Sequence, residues 1–145
     1  MERSGKQDAG ILAYPKHQLA PEDLLNFSEM SGFIGDWKRL GLNVEFDLLA
    51  LQVAIMANPK AGCVIPGSGG LRKLEFAPPG GIGGKKRGKR NACRVCYVHF
   101  DDHHTVLLVA AYAKGRKEDI SHEEKASIKK AIERIRASLS SRCFR

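Results

Sequence analysis

ACRVCYVHFDDHHTVLLVAAYA, residues 92–113, is the stretch on which the fold turns. Two runs rich in β-branched and aromatic residues, 92–100 and 105–113, flank the polar quartet Asp101, Asp102, His103 and His104. Strand-forming runs separated by a short polar link predict a β-hairpin. Setting Phe100 opposite Thr105 fixes the register and puts Arg94 beside Ala111, close to Tyr112 and Ala113. LRKLEF, 71–76, predicts a third strand that folds back onto the hairpin through residues 77–90 and carries Arg72 and Lys73 toward Arg94.

Helices flank this sheet. In SGFIGDWKRLGL, 31–42, Phe33, Ile34, Trp37 and Leu40 recur at helical spacing, with Ser31 as cap and Gly41 as stop. Asn43 caps a second helix whose Val44, Leu48, Leu51 and Ile55 share a face, and Asn58 before Pro59 ends it. The last helix is the clearest. Ser121 and Glu124 make a capping box, and Ile128, Ile132, Ile135 and Leu139 form an apolar stripe. Residues 23–30 predict a short strand, and in 1–22 only GILAY has the composition to order. The order strand, two helices, three strands, helix predicts an α+β domain over 23–140 with an antiparallel sheet, preceded by a loose arm, 1–22.

The chain has 145 residues, one domain's worth, with 43% hydrophobic and 28% charged residues, a globular composition. No apolar run approaches the roughly 20 residues that span a bilayer, so no membrane partner is expected. MERSGKQDAG has no apolar segment after its charges, and a cytoplasmic protein is expected. The net charge of +8 is concentrated: residues 71–100 hold eight Lys and Arg against one acidic residue, while residues 1–70 hold six against eight. Such a patch attracts polyanions.

The densest part, GGIGGKKRGKR (80–90), is not a nucleotide loop. A Walker A motif needs a glycine at Pro79 and a hydroxyl at Lys86; the dinucleotide fingerprint also fails at Lys86, and a strand follows where both need a helix. A nuclear signal matches by composition alone. Cys93 and Cys96 form a CxxC, but strand residues three apart face opposite ways, so a structural role is expected and no metal site.

What gathers at one end of the sheet is Arg72, Lys73, Arg94, Tyr112 and Lys114, with His103 and His104 solvated at the other end. Fixed cations with a phenol suit the binding of a phosphate and the charging of its transition state. A lysine crowded by cations can move a proton, and an aromatic ring can stack on an unpaired base.

NPKAGCVIPGSGGLRKLEFA (58–77), RGKRNACRVCYVHF (87–100) and LLVAAYAKGRKEDISHEEKASIKKAIERI (107–135) resemble, in order, the RelE/HigB family of toxin–antitoxin ribonucleases. The resemblance runs from about Ser28 to Ser138, with IPGSGGLRKL and AYAKGRKEDI its most specific pieces. It implies a RelE-like α+β fold, a twisted antiparallel sheet with two N-terminal helices packed on it and a C-terminal helix, all on one face. It implies a toxin that cleaves mRNA, often on the ribosome, by attack of the ribose 2′-OH on the adjacent phosphate, with no cofactor or metal. It implies a cognate antitoxin, often a helix-turn-helix protein. Matched residue by residue, it implies Arg94 on the scissile phosphate, Lys73 or Lys114 in proton transfer and Tyr112 in stacking, with Arg72, Lys85, Lys86, Arg87, Lys89, Arg90 and Lys117 gripping RNA. Glu75 departs from the pattern; two positions from Lys73, it shares that strand face, where it would weaken phosphate binding and attenuate activity. Two other readings stay open: a ParE-like inhibitor of DNA gyrase on the same scaffold, and an RNA-binding module without catalysis.

Overall fold

The computed structural model describes residues 11–12, 19–79, 92–115 and 120–142. The elements run β1 (Ile11–Leu12), β2 (Asn26–Glu29), α1 (Phe33–Arg39), α2 (Phe46–Ala57), β3 (Cys63–Val64), β4 (Arg72–Phe76), β5 (Cys93–Phe100), β6 (Thr105–Ala113) and α3 (His122–Arg142). The fold is α+β. One sheet has the order β1-β4-β5-β6-β2, with β3 also on β4.

The centre of the sheet, β4-β5-β6, is antiparallel as the sequence predicts. The sheet as a whole is mixed, because β2 pairs with β6 and β1 with β4 in parallel. β1 falls inside GILAY. It and β3 are two residues each, too short to leave a periodic trace in the sequence.

The link 101–104 is one 3-10 turn, Asp101–His103, closed by His104 in the left-handed region at φ 50°. It sets Phe100 opposite Thr105, Val98 opposite Leu107 and Tyr97 opposite Leu108. Then the register slips: Cys96 faces Ala110, and Val109 has no partner. This is a β-bulge, one extra residue on β6. From there to the end of the hairpin every pair is displaced by one residue, so Arg94 stands opposite Tyr112 instead of Ala111.

The sheet is covered on both faces. Cys93, Val95 and Tyr97 of β5 with Leu74 and Phe76 of β4 pack under Phe33, Trp37, Leu48, Leu51 and Ile55 of α1 and α2. Cys96, Val98 and Phe100 pack on the other face with Ile132, Ile128 and Ile135 of α3. The expectation of all helices on one face is thereby corrected. β5 is apolar at nearly every position because both its faces are interior.

Local chemistry ends the helices. Gly41, at φ 79°, donates to Lys38 O at 2.9 Å while Leu42 donates to Trp37 O at 3.3 Å, which is a Schellman stop. Gly32 at φ 96°, not Ser31, occupies the position before α1. Asn43 Oδ1 accepts from the amides of Glu45, Phe46 and Asp47, and the Trp37 indole donates to Asn43 O at 2.9 Å, so one residue caps α2 and ties it to α1. Val44 lies outside the expected stripe and is 41% exposed. The capping box of α3 is present: Ser121 N donates to Glu124 Oε1 at 3.0 Å and Glu124 N to Ser121 Oγ at 3.1 Å.

Ile132 is the residue of α3 buried to 0% exposure, while Ile128 and Ile135 are only partly covered. Ile132→Ala should lower stability by about 2–5 kcal/mol, and Ile128→Ala by clearly less. Urea unfolding midpoints of the two variants measure the difference.

Candidate RNA-binding face

Alternation along β4 sorts its side chains. Arg72, Leu74 and Phe76 pair with Tyr97, Val95 and Cys93 and face α1 and α2; Lys73 and Glu75 pair with Cys96 and Arg94 and face the α3 side. Arg94 is in turn opposite Tyr112. Glu75, Arg94 and Tyr112 therefore form one row across three adjacent strands, with Lys73 two residues before Glu75 and Lys114 two residues beyond Tyr112.

The row is bound together by charge. Glu75 Oε2 lies 3.1 Å from Lys114 Nζ and 3.5 Å from Arg94 Nη2. The three side chains are 20%, 33% and 23% exposed, so the cluster is half-buried and less screened than a surface pair. Arg94 Nε is buried and has no hydrogen-bond partner among the described residues. Two cations converging on one carboxylate oxygen define an anion position at the rim of the sheet, and a resident side chain fills it.

Four of the five expected residues thus share a face: Lys73, Arg94, Tyr112 and Lys114. Arg72 does not. Successive strand residues point oppositely, so Arg72 cannot join Lys73. Its Nη1 donates to Gly62 O at 2.7 Å and Lys60 O at 3.2 Å on the other side of the sheet. There Tyr97 completes a brace, its hydroxyl donating to Pro59 O at 2.7 Å and accepting from Gly62 N at 3.2 Å. A Cβ on Gly62 would come within 3.1 Å of Lys73 O and of the Tyr97 ring, so the chain before β3 lies tight on the sheet. Burial raises the Tyr97 hydroxyl pKa, which keeps the donor proton in place.

Lys85, Lys86, Arg87, Lys89, Arg90 and Lys117, and with them Cys143, lie outside the described residues. Glu75, read from the sequence by its spacing from Lys73 as an obstruction to phosphate, is also an ion-pair partner of Arg94 and Lys114, a link between three strands that the sequence left unstated. Lys125 is a site residue the sequence missed: with Lys73, Tyr112 and residues 63–66 it lines a cleft between the sheet and the start of α3. It sits four residues after the capping Ser121, where nothing in the sequence relates it to β4.

The remaining titratable groups fall away from the row. Cys93 and Cys96 face opposite sides of the sheet, both at 0% exposure. Burial pushes the Cys93 thiol up to about 12. His99 is lowered, first by burial, against the pull of Asp101 at 4.0 Å, which favours the neutral imidazole. His104 is exposed at the turn; His103 is half-buried, 3.5 Å from Ser140 Oγ of α3, where full solvation had been expected. Among the described residues no helix is long and apolar enough to cross a membrane.

No family model matches the chain. Among solved structures it is similar to a mutant of the E. coli toxin RelE in the free state, with 15% identity, 72% of this chain and 96% of that chain covered, and a TM-score of 0.48.

The thiols give a direct check. Iodoacetamide at pH 8 should label exposed Cys63 in the native protein and spare Cys93 and Cys96 until urea unfolds it. Because the folded state holds the Cys93 proton up to about 12 against an ordinary value of 9.0, Cys93 contributes stability below pH 9 that is lost as pH climbs toward 12. Urea midpoints should fall less steeply over that window in Cys93→Ala than in the unsubstituted protein.

Proposed function

We propose that this chain is the toxin of a type II toxin–antitoxin system and acts as an endoribonuclease on mRNA, bound to the ribosome. The single observation that carries the reading is the meeting of Arg94 and Lys114 on one oxygen of Glu75, on the same face as Lys73 and Tyr112. The segments similar to RelE/HigB toxins, 58–77, 87–100 and 107–135, supply these residues and support it.

The chemistry is in-line attack of a ribose 2′-oxygen on its own phosphate. The O2′–P bond forms, the P–O5′ bond breaks, and the products are a 2′,3′-cyclic phosphate and a 5′-hydroxyl. Arg94, with a planar fork of donors, holds the non-bridging oxygens as their charge grows. Glu75, displaced from its ion pairs by the incoming phosphate, accepts the 2′-hydroxyl proton; carboxylates serve this role when they stand within hydrogen-bond reach. Lys73 or Lys114, as an ammonium, returns a proton to O5′. Tyr112, opposite Arg94 on the next strand, supplies an aromatic ring on which a base can stack. The charge of the reaction is met by side chains, in keeping with a mechanism that needs no metal. A helix-turn-helix antitoxin is the partner this reading expects, with action in the cytoplasm.

The test is controlled expression with mapping of mRNA 5′-hydroxyl ends. Arg94→Ala should relieve growth arrest and lower cleavage by about 100- to 1,000-fold with an unchanged circular dichroism spectrum. Glu75→Gln should lower cleavage by about 100-fold or more while RNA affinity is kept or raised. Faster cleavage by Glu75→Gln would show the carboxylate to be only an obstruction. DNA-damage signalling with intact transcripts would replace the ribonuclease with a gyrase inhibitor.

A further inference from the structure

The cleft beside Lys73 extends the anion row in a second direction. It has a volume of about 280 Å³ and lies between β3, β4, the end of β6 and the start of α3. Ile65, Pro66 and Ile120 give the cleft apolar lining, Tyr112 lines it from the strand position opposite Arg94, and Lys73 of β4 and Lys125 of α3 line it from two separate elements.

Each feature selects for part of one ligand. Apolar walls with an aromatic edge favour a flat ring over a hydrated ion. Two lysines in the lining favour a phosphate attached to that ring, since a lysine reaches a phosphate as a mobile point charge. Lys73 lines the cleft and stands two residues before Glu75 on the same face of β4, so the cleft adjoins the row of Glu75, Arg94 and Tyr112.

We propose that this cleft seats one unpaired nucleobase next to the scissile phosphate, with Lys125 and Lys73 holding the phosphate that joins them. The assignment rests on the ribonuclease reading above and adds to it a base-bearing subsite with Lys125 as a positioning residue.

Cys63 makes the cleft observable. It lines the cleft opposite Lys73, it is exposed, and Cys93 and Cys96 are buried. The probe is a 2′-deoxy hexanucleotide, which cannot be cut, added at saturation while alkylation of Cys63 is followed by peptide mass spectrometry. The intact oligonucleotide should slow alkylation about tenfold or more. Removing a single base at one position should abolish that protection, and removal elsewhere should not. Lys125→Gln should lose the protection and the positional effect together. Unchanged alkylation at saturation, protection indifferent to which base is missing, or equal protection by polyglutamate would overturn the assignment. Cleavage of the all-ribose hexanucleotide, with and without ribosomes, is scored separately against Arg94→Ala. Cleavage without base-dependent protection sinks the seat and leaves the ribonuclease, and protection without cleavage does the reverse.

Discussion

The constraint beneath the rest is the one-residue slip at Val109. A hairpin closed by a tight turn has its register dictated from the turn outward, and without the slip Arg94 would face Ala111. On a pleated sheet a displacement of one residue exchanges faces. The bulge therefore does two things at once. It sets Arg94 beside Tyr112, and it turns Tyr112 and Lys114 to the face that Lys73 and Glu75 occupy. Bulges are found beside functional sites for this reason: they re-aim side chains without rebuilding the strand.

Around that row, electrostatics and packing divide the labour. The α1 and α2 side holds the largest apolar residues, Trp37, Tyr97, Phe33 and Phe76, all at 0% exposure. Trp37 stacks between Phe33 and Phe76 at centroid distances of 5.6 and 6.2 Å. On the α3 side, toward the turn, Arg136 lies 5.0 Å over the ring of Phe100 and Ile132 plugs the sheet. Toward the other end α3 is only beginning, with Lys125 of its first turn beside Lys73 and Tyr112, and there the sheet carries the cations. A carboxylate among them lowers the repulsion of Lys114 and Arg94 when no polyanion is bound, and a phosphate entering the row must displace it.

Much of this could be read from the residues. The hairpin, both long helices, the Asn43 cap, the Gly41 stop and the Ser121–Glu124 box all carry local signatures, and each is where its chemistry puts it. What escaped was non-local. Parallel pairing of β2 with β6 joins segments about eighty positions apart and leaves no periodic mark. The bulge has no glycine to announce it, only a valine in a run of apolar residues. Placing Arg72 and Lys73 in one pocket overlooked the period of two that the same strand obeys. Lys125 was invisible because its neighbourhood with Lys73 exists only after α3 has folded across the sheet.

That period gives β4 a divided personality. Its residues 72, 74 and 76 serve the scaffold, with Arg72 clasping carbonyl oxygens beneath the sheet; residues 73 and 75 serve the solvent-facing business. Drift at single positions of β4 can thus alter one office while sparing the other. Gain or loss of a single codon inside it cannot, since the two sets of tenants would swap floors: an arginine shaped for carbonyls would arrive among the cations, and a lysine would be thrust into the aromatic interior. Diversification of such a strand is expected to proceed by replacement and never by indel.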